Sequence, residues 1–357
     1  MRHTQVHIDL PALRHNLLQV RRLAPHSKVM AAIKANGYGH GLERVALALP
    51  EADAFGVACI DEALQLRSIG IEQPIILLEG FFHVDELPQA EQYGFDLVLH
   101  HPSQVDKLSQ HRFHQPIRVW LKIDTGMHRL GVAPEEVAPL WQRLVEHPWL
   151  VPLGQMTHLA CADDSDSPMT EQQLALFASL TAGLSGIQAI ANSAGIIAWP
   201  SSHVDWVRPG IMLYGVSPLL GGRAEQHGLR PVMTLRSELI ATRTLSAGEA
   251  VGYGASWRCP ETMPIGIVAV GYGDGYPRHA RSGTPVLLNG REVPLIGRVS
   301  MDMLAVDLRS QPQAQIGDPV VLWGKGLPIE VIAEHAETIP YELLCGITRR
   351  VECVAVP

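Results

Sequence analysis

The stretch KVMAAIKANGYGHG, residues 28–41, decides how the chain folds. Its first half, residues 29–33, is a short apolar run that predicts a buried strand. Lys34 follows at the carboxyl end of this run, and a glycine-rich loop follows Lys34. In α/β folds, functional groups collect where parallel strands end. A lysine leaving a buried strand there is partly desolvated, which frees its amine to form a Schiff base, whereas an isolated lysine is more often a surface residue.

Length and composition limit the class of protein. The chain has 357 residues, more than one ordinary domain holds, and 46% of them are hydrophobic, which suits a large core. A net charge of −8 argues against nucleic-acid binding, because phosphate contacts need a basic surface. The five cysteines are scattered and have no metal-ligand spacing, which favours reduced thiols in a cytosolic protein. No secretory signal and no long apolar run is visible, so we expect a cytoplasmic protein without a membrane span.

Short apolar runs alternate with amphipathic segments through the first 230 residues. Eight of the runs predict strands, and the segments between them have helical spacing. This count favours a (β/α)8 TIM-type barrel over residues 10–230, although a doubly wound open sheet would give the same alternation. The predicted strands are residues 29–33, 55–60, 75–78, 96–99, 117–123, 154–159, 187–190 and 204–207.

The pattern changes near residue 230. Short strands broken by Gly, Pro, Asn and Asp predict a mostly-β C-terminal domain over residues 231–357, with one helix around residues 329–335. The pair Asn289-Gly290 between two apolar runs predicts a hairpin. Residues 1–9 alternate weakly, and we expect this N-terminal strand to join the β-domain.

Polar residues collect at the carboxyl ends of the predicted strands, which all face one mouth of a barrel. Each has a structural explanation when taken alone, and only their shared position indicates a functional site. Ser193 suits a helix N-cap. His158 suits a hydrogen-bonded core histidine, and Arg129 suits an ion pair with Asp124. Arg208 suits a surface turn before proline, and Lys122 suits an ordinary strand lysine.

A phosphate site in barrels is often built after the seventh and eighth strands, from backbone N–H groups. Ser193, Gly210 and Ile211 occupy that place in this sequence. Tyr38 adds a hydroxyl donor after the first strand. The pattern therefore predicts a phosphate-bearing ligand at the barrel mouth.

Short motifs along the chain resemble those of the bacterial alanine racemases, which use pyridoxal 5′-phosphate (PLP). The resemblance implies a TIM-type barrel followed by a β-domain, PLP as the cofactor, and a homodimer with shared active sites. Two positions depart from the family pattern, with Gly37 where alanine is common and Ser300 where cysteine is often found; both exchange one small residue for another. The motifs, in family order, are KANGYGHG, LKIDTGMHRLG, THLA, NSAG, VRPGIMLYG, VGYGASW, GYGDGYPR, GRVSMDM and PYELL.

The resemblance also implies roles for individual residues. Lys34 would carry PLP covalently and act on one face of the substrate, and Tyr253 would reach the other face from the second subunit. Lys122 matches a position that is often carbamylated in the family. The further cofactor-binding residues implied are Tyr38, His158, Asn192, Ser193, Arg208, Gly210, Ile211 and Tyr341. Arg129 and Met301 would bind substrate, with Lys122, Tyr272 and Asp302 in support.

The residues weigh against two other classes of protein. A non-catalytic PLP-binding protein resembles the barrel alone, and the β-domain that carries Tyr253 argues against it. A barrel-plus-β amino-acid decarboxylase fits poorly with Arg208, because an arginine stays protonated and leaves the pyridine nitrogen of PLP unprotonated, which weakens its electron sink. We therefore expect interconversion of L- and D-alanine by two bases, either supplying D-alanine for the cell wall or serving alanine catabolism.

Overall fold

Eight parallel strands close into a barrel in the computed structural model, which describes residues 4–356. Each strand pairs with the next along the chain, and the last pairs back with the first through Lys28 opposite Trp206. This closure excludes the open sheet and confirms the predicted barrel. The strands are β2 (Lys28–Ala32), β3 (Ala54–Val57), β4 (Ile75–Leu77), β5 (Asp96–Leu99), β6 (Ile117–Lys122), β7 (Leu150–Met156), β8 (Ile187–Ala189) and β9 (Trp206–Val207).

Helices connect the strands and cover the outside of the barrel. The turn after β2, called α2 here, is short and has left-handed backbone angles. The helices are α1 (Leu10–Leu23), α2 (Lys34–Tyr38), α3 (Leu42–Ala48), α4 (Ile60–Ser68), α5 (Leu87–Tyr93), α6 (Pro102–Gln110), α7 (Val137–Glu146), α8 (Met169–Thr181), α9 (Ser193–Ala198), α10 (Ile329–His335) and α11 (Pro340–Cys345).

The barrel interior is packed with one side chain from each strand. Because side chains alternate along a strand, Met30 points inward while its neighbours Val29 and Ala31 belong to the outer core beneath the helices. The rings of Trp120 and Trp206 meet edge-on, 6.3 Å apart, and fill much of the centre. The inner cluster is Met30, Ala54, Ile76, Val98, Trp120, Met156, Ala189 and Trp206.

One strand begins earlier than its sequence predicts. The apolar pattern places its start at Gly154, but β7 begins at Leu150. Gly154 lies inside the strand, where a Cβ would overlap the backbone carbonyl of Ile187 on β8. The glycine therefore permits the close approach of two strands. In the sequence, a glycine inside a strand looks the same as a glycine that marks the start of one.

The C-terminal domain is an eight-stranded, mostly antiparallel sheet. Its order is β13-β16-β15-β14-β17-β10-β1-β18, and the long strand β10 also pairs with β13. The predicted hairpin is present, with Leu288 opposite Arg291. The strands are β1 (Gln5–Asp9), β10 (Met233–Leu245), β13 (Met263–Val268), β14 (Pro285–Leu288), β15 (Arg291–Ile296), β16 (Leu304–Asp307), β17 (Pro319–Trp323) and β18 (Glu352–Val356), beside a small pair β11 (Ala250–Val251) and β12 (Trp257–Arg258).

The N-terminal strand ties the two parts of the chain together. β1 lies between β10 and β18, so the chain starts in the C-terminal sheet before it enters the barrel. Asp9 ends β1 and caps α1 by accepting the N–H of Ala12 at 2.8 Å. Buried Asn16 on α1 then donates to the carbonyls of Leu213 and Arg230. Residues 1–3 of the predicted N-terminal strand, and residue 357, lie outside the described residues.

The β-domain contains a second helix that the sequence analysis did not predict. α11 has only six residues, too few for a helical repeat to show in the sequence, and Pro340 lies in its first turn. Its residue Tyr341 reaches the barrel mouth. Between residues 4 and 356, no helix has both the length and the apolar character that crossing a membrane requires.

Candidate active site

The carboxyl ends of the barrel strands surround a cavity of about 750 Å³. That volume is in the range of pockets that enclose a cofactor or small ligand. Residues from both domains contribute to its wall, since Tyr341 of α11 joins the strand ends. The predicted residues in the wall are Lys34, Tyr38, Lys122, Arg129, His158, Asn192, Ser193, Arg208, Gly210, Ile211 and Tyr341.

Lys34 lies at the carboxyl end of the first barrel strand, as the sequence predicts. Its side chain is 36% exposed, and its Nζ lies 3.8 Å from Oε1 of Glu79. The lysine is therefore less desolvated in a single chain than its place after a buried strand suggests. Glu79 gives the amine a carboxylate neighbour that the sequence analysis did not name.

Ser193 organises the predicted phosphate end of the cavity. Its Oγ accepts the N–H of Gly210 at 2.8 Å and that of Met212 at 3.3 Å. The hydroxyl proton of Ser193 is thus left to donate to a ligand. A Cβ at Gly210 would lie 2.5 Å from the hydroxyl oxygen of Tyr38, so only glycine lets that hydroxyl approach the backbone here.

The N-cap of α9 is Asn192 and not Ser193. The side-chain oxygen of Asn192 accepts the N–H of Gly195 at 2.9 Å, and its amide nitrogen donates to the carbonyl of Leu159 at 3.2 Å. Asn192 therefore holds two strand ends together at the cavity wall. Ser193 therefore does not serve as the N-cap of this helix.

Three tyrosine rings pack together beside the predicted phosphate end. The ring of Tyr38 lies 4.7 Å from that of Tyr214 and 6.1 Å from that of Tyr341. Burial raises the pKa of Tyr38 to about 12, and burial also raises the pKa of Tyr341. Both phenols keep their protons near neutral pH and can serve as hydrogen-bond donors.

Arg208 is buried with part of its guanidinium unpaired. It is 7% exposed, and its Nη2 donates to the carbonyls of Thr157 and Ile190. Its Nη1 is buried and has no hydrogen-bond partner among residues 4–356. Burial lowers the pKa of Arg208 to about 10, which leaves it protonated near neutrality. An unpaired buried N–H is costly, so this donor suits an acceptor atom of a ligand in the cavity.

Cations dominate the middle of the cavity. Burial, and next the charge of Arg208, lower the pKa of His158 well below its usual range, so its imidazole is neutral. Burial, followed by the charges of Arg208 and Arg129, lowers the pKa of Lys122 to about 8. A lysine with this pKa has a substantial neutral fraction near physiological pH.

Arg129 lies in the cavity wall, away from the ion pair that we considered for it. The carboxylate of Asp124 instead accepts the N–H groups of Gly126 and His128 and pairs with the His128 ring at 3.0 Å. Asp124 therefore shapes the loop after β6. The guanidinium of Arg129 is left for a ligand carboxylate.

Four predicted residues lie outside this cavity and gather on the β-domain. Tyr253 is 67% exposed and Met301 is 52% exposed. The loops of Tyr272 and Met301 are joined by backbone bonds, since the N–H of Tyr272 donates to the carbonyl of Ser300 at 3.1 Å. The carboxylate of Asp302 forms an ion pair with Arg350, which also pairs with the buried carboxylate of Asp274. We call Tyr253, Tyr272, Met301 and Asp302 the β-domain patch.

Two carboxylates in the cavity wall were not predicted from the sequence. Glu79 comes two residues after β4, and Asp163 lies in the loop that follows β7. Glu79 could have been found by the signal that identified Lys34, since it directly follows the predicted strand 75–78. Asp163 is seven residues beyond its strand, and nothing local in the sequence marks it.

Comparison with known proteins gives a consistent result over the whole chain. Family models for the N-terminal and C-terminal domains of alanine racemase match residues 8–218 and 232–355. Alanine racemase from Coxiella burnetii is 53% identical over 356 residues, covering 98% of each chain. Alanine racemase from Shewanella woodyi is 52% identical over 345 residues, covering 96% of each chain.

Solved structures agree. A biosynthetic alanine racemase from Pseudomonas aeruginosa superimposes with a TM-score of 0.98 at 45% identity, over 100% of both chains. The alanine racemase from Acinetobacter baumannii gives a TM-score of 0.95 at 40% identity, again over 100% of both chains. The cavity at the barrel mouth and these matches lead to one conclusion: the chain belongs to the alanine racemase family of isomerases.

Proposed function

We propose that this chain interconverts L- and D-alanine with PLP held at the barrel mouth, using Lys34 and Tyr253 as two bases in a homodimer with shared sites. The observation that carries the cofactor assignment is the buried, unpaired Nη1 of Arg208 at the cavity. Few ligands present a single hydrogen-bond acceptor at one end and a phosphate, which accepts several hydrogen bonds, at the other. PLP has both, in its pyridine nitrogen and its phosphate.

The residues present fit PLP at both ends. Arg208 would donate to the pyridine nitrogen, with neutral His158 beside the ring and Lys34 attached covalently. The glycine at position 210, where a Cβ would strike Tyr38, keeps the phosphate end open. The phosphate would be held by Tyr38, Ser193, Gly210, Ile211 and Tyr341, with Asn192 bracing the corner.

Racemisation moves a proton at the α-carbon from one face to the other. PLP, when bound, takes up the electron pair left on that carbon. Lys34 would remove the proton on one face as an amine or return it as an ammonium, and Tyr253 would do so on the opposite face as a phenolate or a phenol. One base gains the proton that the carbon loses while the other gives its own, so no net proton is consumed.

Arg208 affects this chemistry as well as the binding of the cofactor. A protonated arginine donates a hydrogen bond to the ring nitrogen, but it does not transfer its proton to that nitrogen. That limits how far the electron pair spreads into the ring and disfavours side reactions such as transamination. A carboxylic acid at this place would have the opposite effect.

Arg129 and Lys122 suit recognition of the substrate carboxylate. Arg129 can bind a carboxylate through its fork of N–H donors. With a pKa of about 8, Lys122 has a neutral amine available to react with carbon dioxide, releasing a proton and becoming an anionic carbamate. That anion would attract and orient Arg129, whereas the unmodified, protonated lysine would repel it. Met301 would border the substrate side chain.

A second copy of the chain supplies the remaining residues in this proposal. The β-domain patch is exposed, and none of its four residues is in the cavity wall. Tyr253 can act on a substrate at Lys34 if it comes from a partner subunit that covers the mouth. Tyr272 and Asp302 would then support it. The product would serve cell-wall supply or alanine catabolism.

The test replaces Lys34 with alanine. The wild-type protein should show a visible PLP absorbance that borohydride abolishes, and should racemise alanine in both directions. Lys34→Ala should lose the borohydride-sensitive band and both activities. Lys28→Ala is the matched control, because Lys28 lies at the other end of β2, over the ring of Trp206. A reducible band that persists in Lys34→Ala would contradict the assignment.

A further inference from the structure

The turn between Lys34 and Tyr38 has a backbone conformation that L-residues rarely adopt. The four successive residues from Ala35 to Tyr38 have φ values between 51° and 62°. They form one turn of left-handed helix, and three of them carry a Cβ. Such a turn is sterically unfavourable, least so for asparagine and glycine. Strained segments of this kind persist only where the surrounding structure holds them in place.

Asn36 anchors the outer side of this turn. Its side-chain Oδ1 accepts the N–H of Leu42 at 2.9 Å, at the start of α3. Its own N–H donates to Oε1 of Glu62 on α4 at 3.3 Å. Its carbonyl accepts the N–H of Gly41 at 2.9 Å. Asn36 therefore connects the turn to two helices, although it is exposed and does not line the cavity.

His40 anchors the inner side. It is 0% exposed, and its Nδ1 lies 3.1 Å from the carbonyl oxygen of Gly37 and 2.9 Å from that of Tyr38. Burial lowers the pKa of His40 to about 4, so the ring is neutral, and these contacts place its one proton on Nδ1. The ring also packs 4.6 Å from Tyr214, against which Tyr38 stacks.

We propose that Asn36 and His40 are positioning residues that set the spacing between Lys34 and Tyr38, so that both ends of one ligand are bound at once. This inference rests on the proposed function, in which Lys34 holds the aldehyde end of PLP and Tyr38 helps to hold its phosphate. Binding at two ends raises affinity only when the spacing of the two groups matches the ligand.

The spacing can be tested with ligands that engage one end. Inorganic phosphate reaches the Tyr38 end, and pyridoxal, which lacks the phosphate, reaches the Lys34 end. Without an anchor the turn relaxes, yet both groups remain chemically intact. We therefore expect Asn36→Ala and His40→Phe to weaken PLP binding about tenfold or more, and to change the affinity for each single-ended probe less than about twofold.

Two variants serve as controls. Asn36→Asp keeps the acceptor oxygen and tolerates a left-handed conformation, so it should restore PLP affinity to near the wild-type value. Asn289→Ala removes another left-handed asparagine, with φ of 49° and an amide that donates to Asp318 at 2.7 Å. It lies in the hairpin between β14 and β15, remote from the mouth in sequence, and should leave PLP binding unchanged.

A cofactor-free measurement completes the test. In the apoprotein, Asn36→Ala should speed hydrogen exchange at the N–H of Gly37, which donates to the carbonyl of Ile33 at 2.8 Å, while Asn289→Ala should not. The proposal is overturned if PLP and the single-ended probes weaken together, if PLP binding is unchanged, or if Asn36→Asp behaves like Asn36→Ala. His40 is buried, so the His40→Phe variant can fail to fold. In that case the comparison of Asn36→Ala with Asn36→Asp decides the test. Failure of the wild-type protein to bind PLP would instead count against the proposed function.

Discussion

At the residue scale, the barrel mouth concentrates positive charge in an acidic protein. The chain has a net charge of −8, yet the cavity wall holds four basic side chains, of which Lys122 is partly neutral, against two carboxylates. Clefts of this kind attract anions by local potential, whatever the overall charge. The cations are Lys34, Lys122, Arg129 and Arg208, and the acids are Glu79 and Asp163.

Replacing Arg208 tests whether this charge controls the type of reaction. Arg208→Glu replaces a donor with an acid, which at this buried place would hold its proton and share it with the ring nitrogen of PLP. We expect racemisation to fall by tenfold or more, about 1.4 kcal/mol in the barrier, and formation of pyruvate from alanine to rise relative to racemisation. Product ratios measured by chromatography decide the question.

Arg208→Lys provides the comparison, because it keeps a cationic donor without the planar fork. It should lose activity without a gain in pyruvate. If Arg208→Glu keeps the wild-type product ratio, Arg208 acts only by bonding the carbonyls of Thr157 and Ile190.

At the element scale, the ends of β8, β9 and α2 meet at one corner, which is the proposed phosphate site. The first strand brings Tyr38 through the left-handed turn, and the last brings Gly210 beside it. Ser193 joins them because its Oγ accepts N–H groups from the segment after β9. The corner therefore depends on the closure of the barrel, which places its first and last strands side by side.

Gly210→Ala tests this close approach. Its Cβ would lie 2.5 Å from the Tyr38 hydroxyl oxygen, whose ring is stacked against Tyr214 and cannot move freely. We expect the apoprotein to lose about 1–3 kcal/mol of unfolding free energy, as for overpacked sites, and PLP binding to weaken. Denaturant unfolding and cofactor titration measure both effects.

A double variant identifies the cause. Tyr38→Phe removes the colliding hydroxyl, so adding Gly210→Ala to it should cost less than Gly210→Ala costs alone. Equal costs in the two backgrounds would show that the alanine acts through something other than the hydroxyl contact.

At the whole-molecule scale, the two domains of one chain separate the proposed bases. Lys34 lies in the barrel cavity, while Tyr253 is exposed on the β-domain patch. The proposed phosphate end combines residues of both domains of one chain, because Tyr341 of α11 reaches the barrel. A complete site therefore contains residues from two β-domains. Tyr341 comes from the same chain, and Tyr253 comes, as proposed, from a partner.

Mixed dimers test this sharing. Lys34→Ala and Tyr253→Phe should each be nearly inactive in both directions. If the sites are shared, a dimer of the two variants has one site with both groups and one with neither. Random exchange makes about half of the dimers mixed, so activity should recover to about a quarter of the wild-type value. Co-expression with two affinity tags isolates the mixed dimers.

The parent homodimers are the control for that experiment. Confirmed mixed dimers that are no more active than either parent would mean that both bases come from one chain, and the shared-site proposal would be wrong.

The sequence by itself determined the barrel strands and many of the cavity residues. Strand positions follow from apolar runs, and the hairpin at Asn289-Gly290 follows from turn chemistry; both depend on residues close together in the chain. The mouth residues follow from one rule, that the residue after a parallel strand faces the functional end. This rule located Lys34 and Arg208, and it applies equally to Glu79.

The tertiary structure decided what no local pattern encodes. Barrel closure is a pairing between Lys28 and Trp206, 178 positions apart; the strand count in the sequence favoured the barrel but left an open sheet as an alternative. The unpaired Nη1 of Arg208 arises because carbonyls of two other loops occupy only its neighbour Nη2. The left-handed form of α2 runs against the preference of Ala35, and contacts from outside the turn, made by His40 and by residues of α3 and α4, hold it in place. Periodicity and turns are set by neighbours in the chain, whereas a site is set by contacts between segments far apart in it.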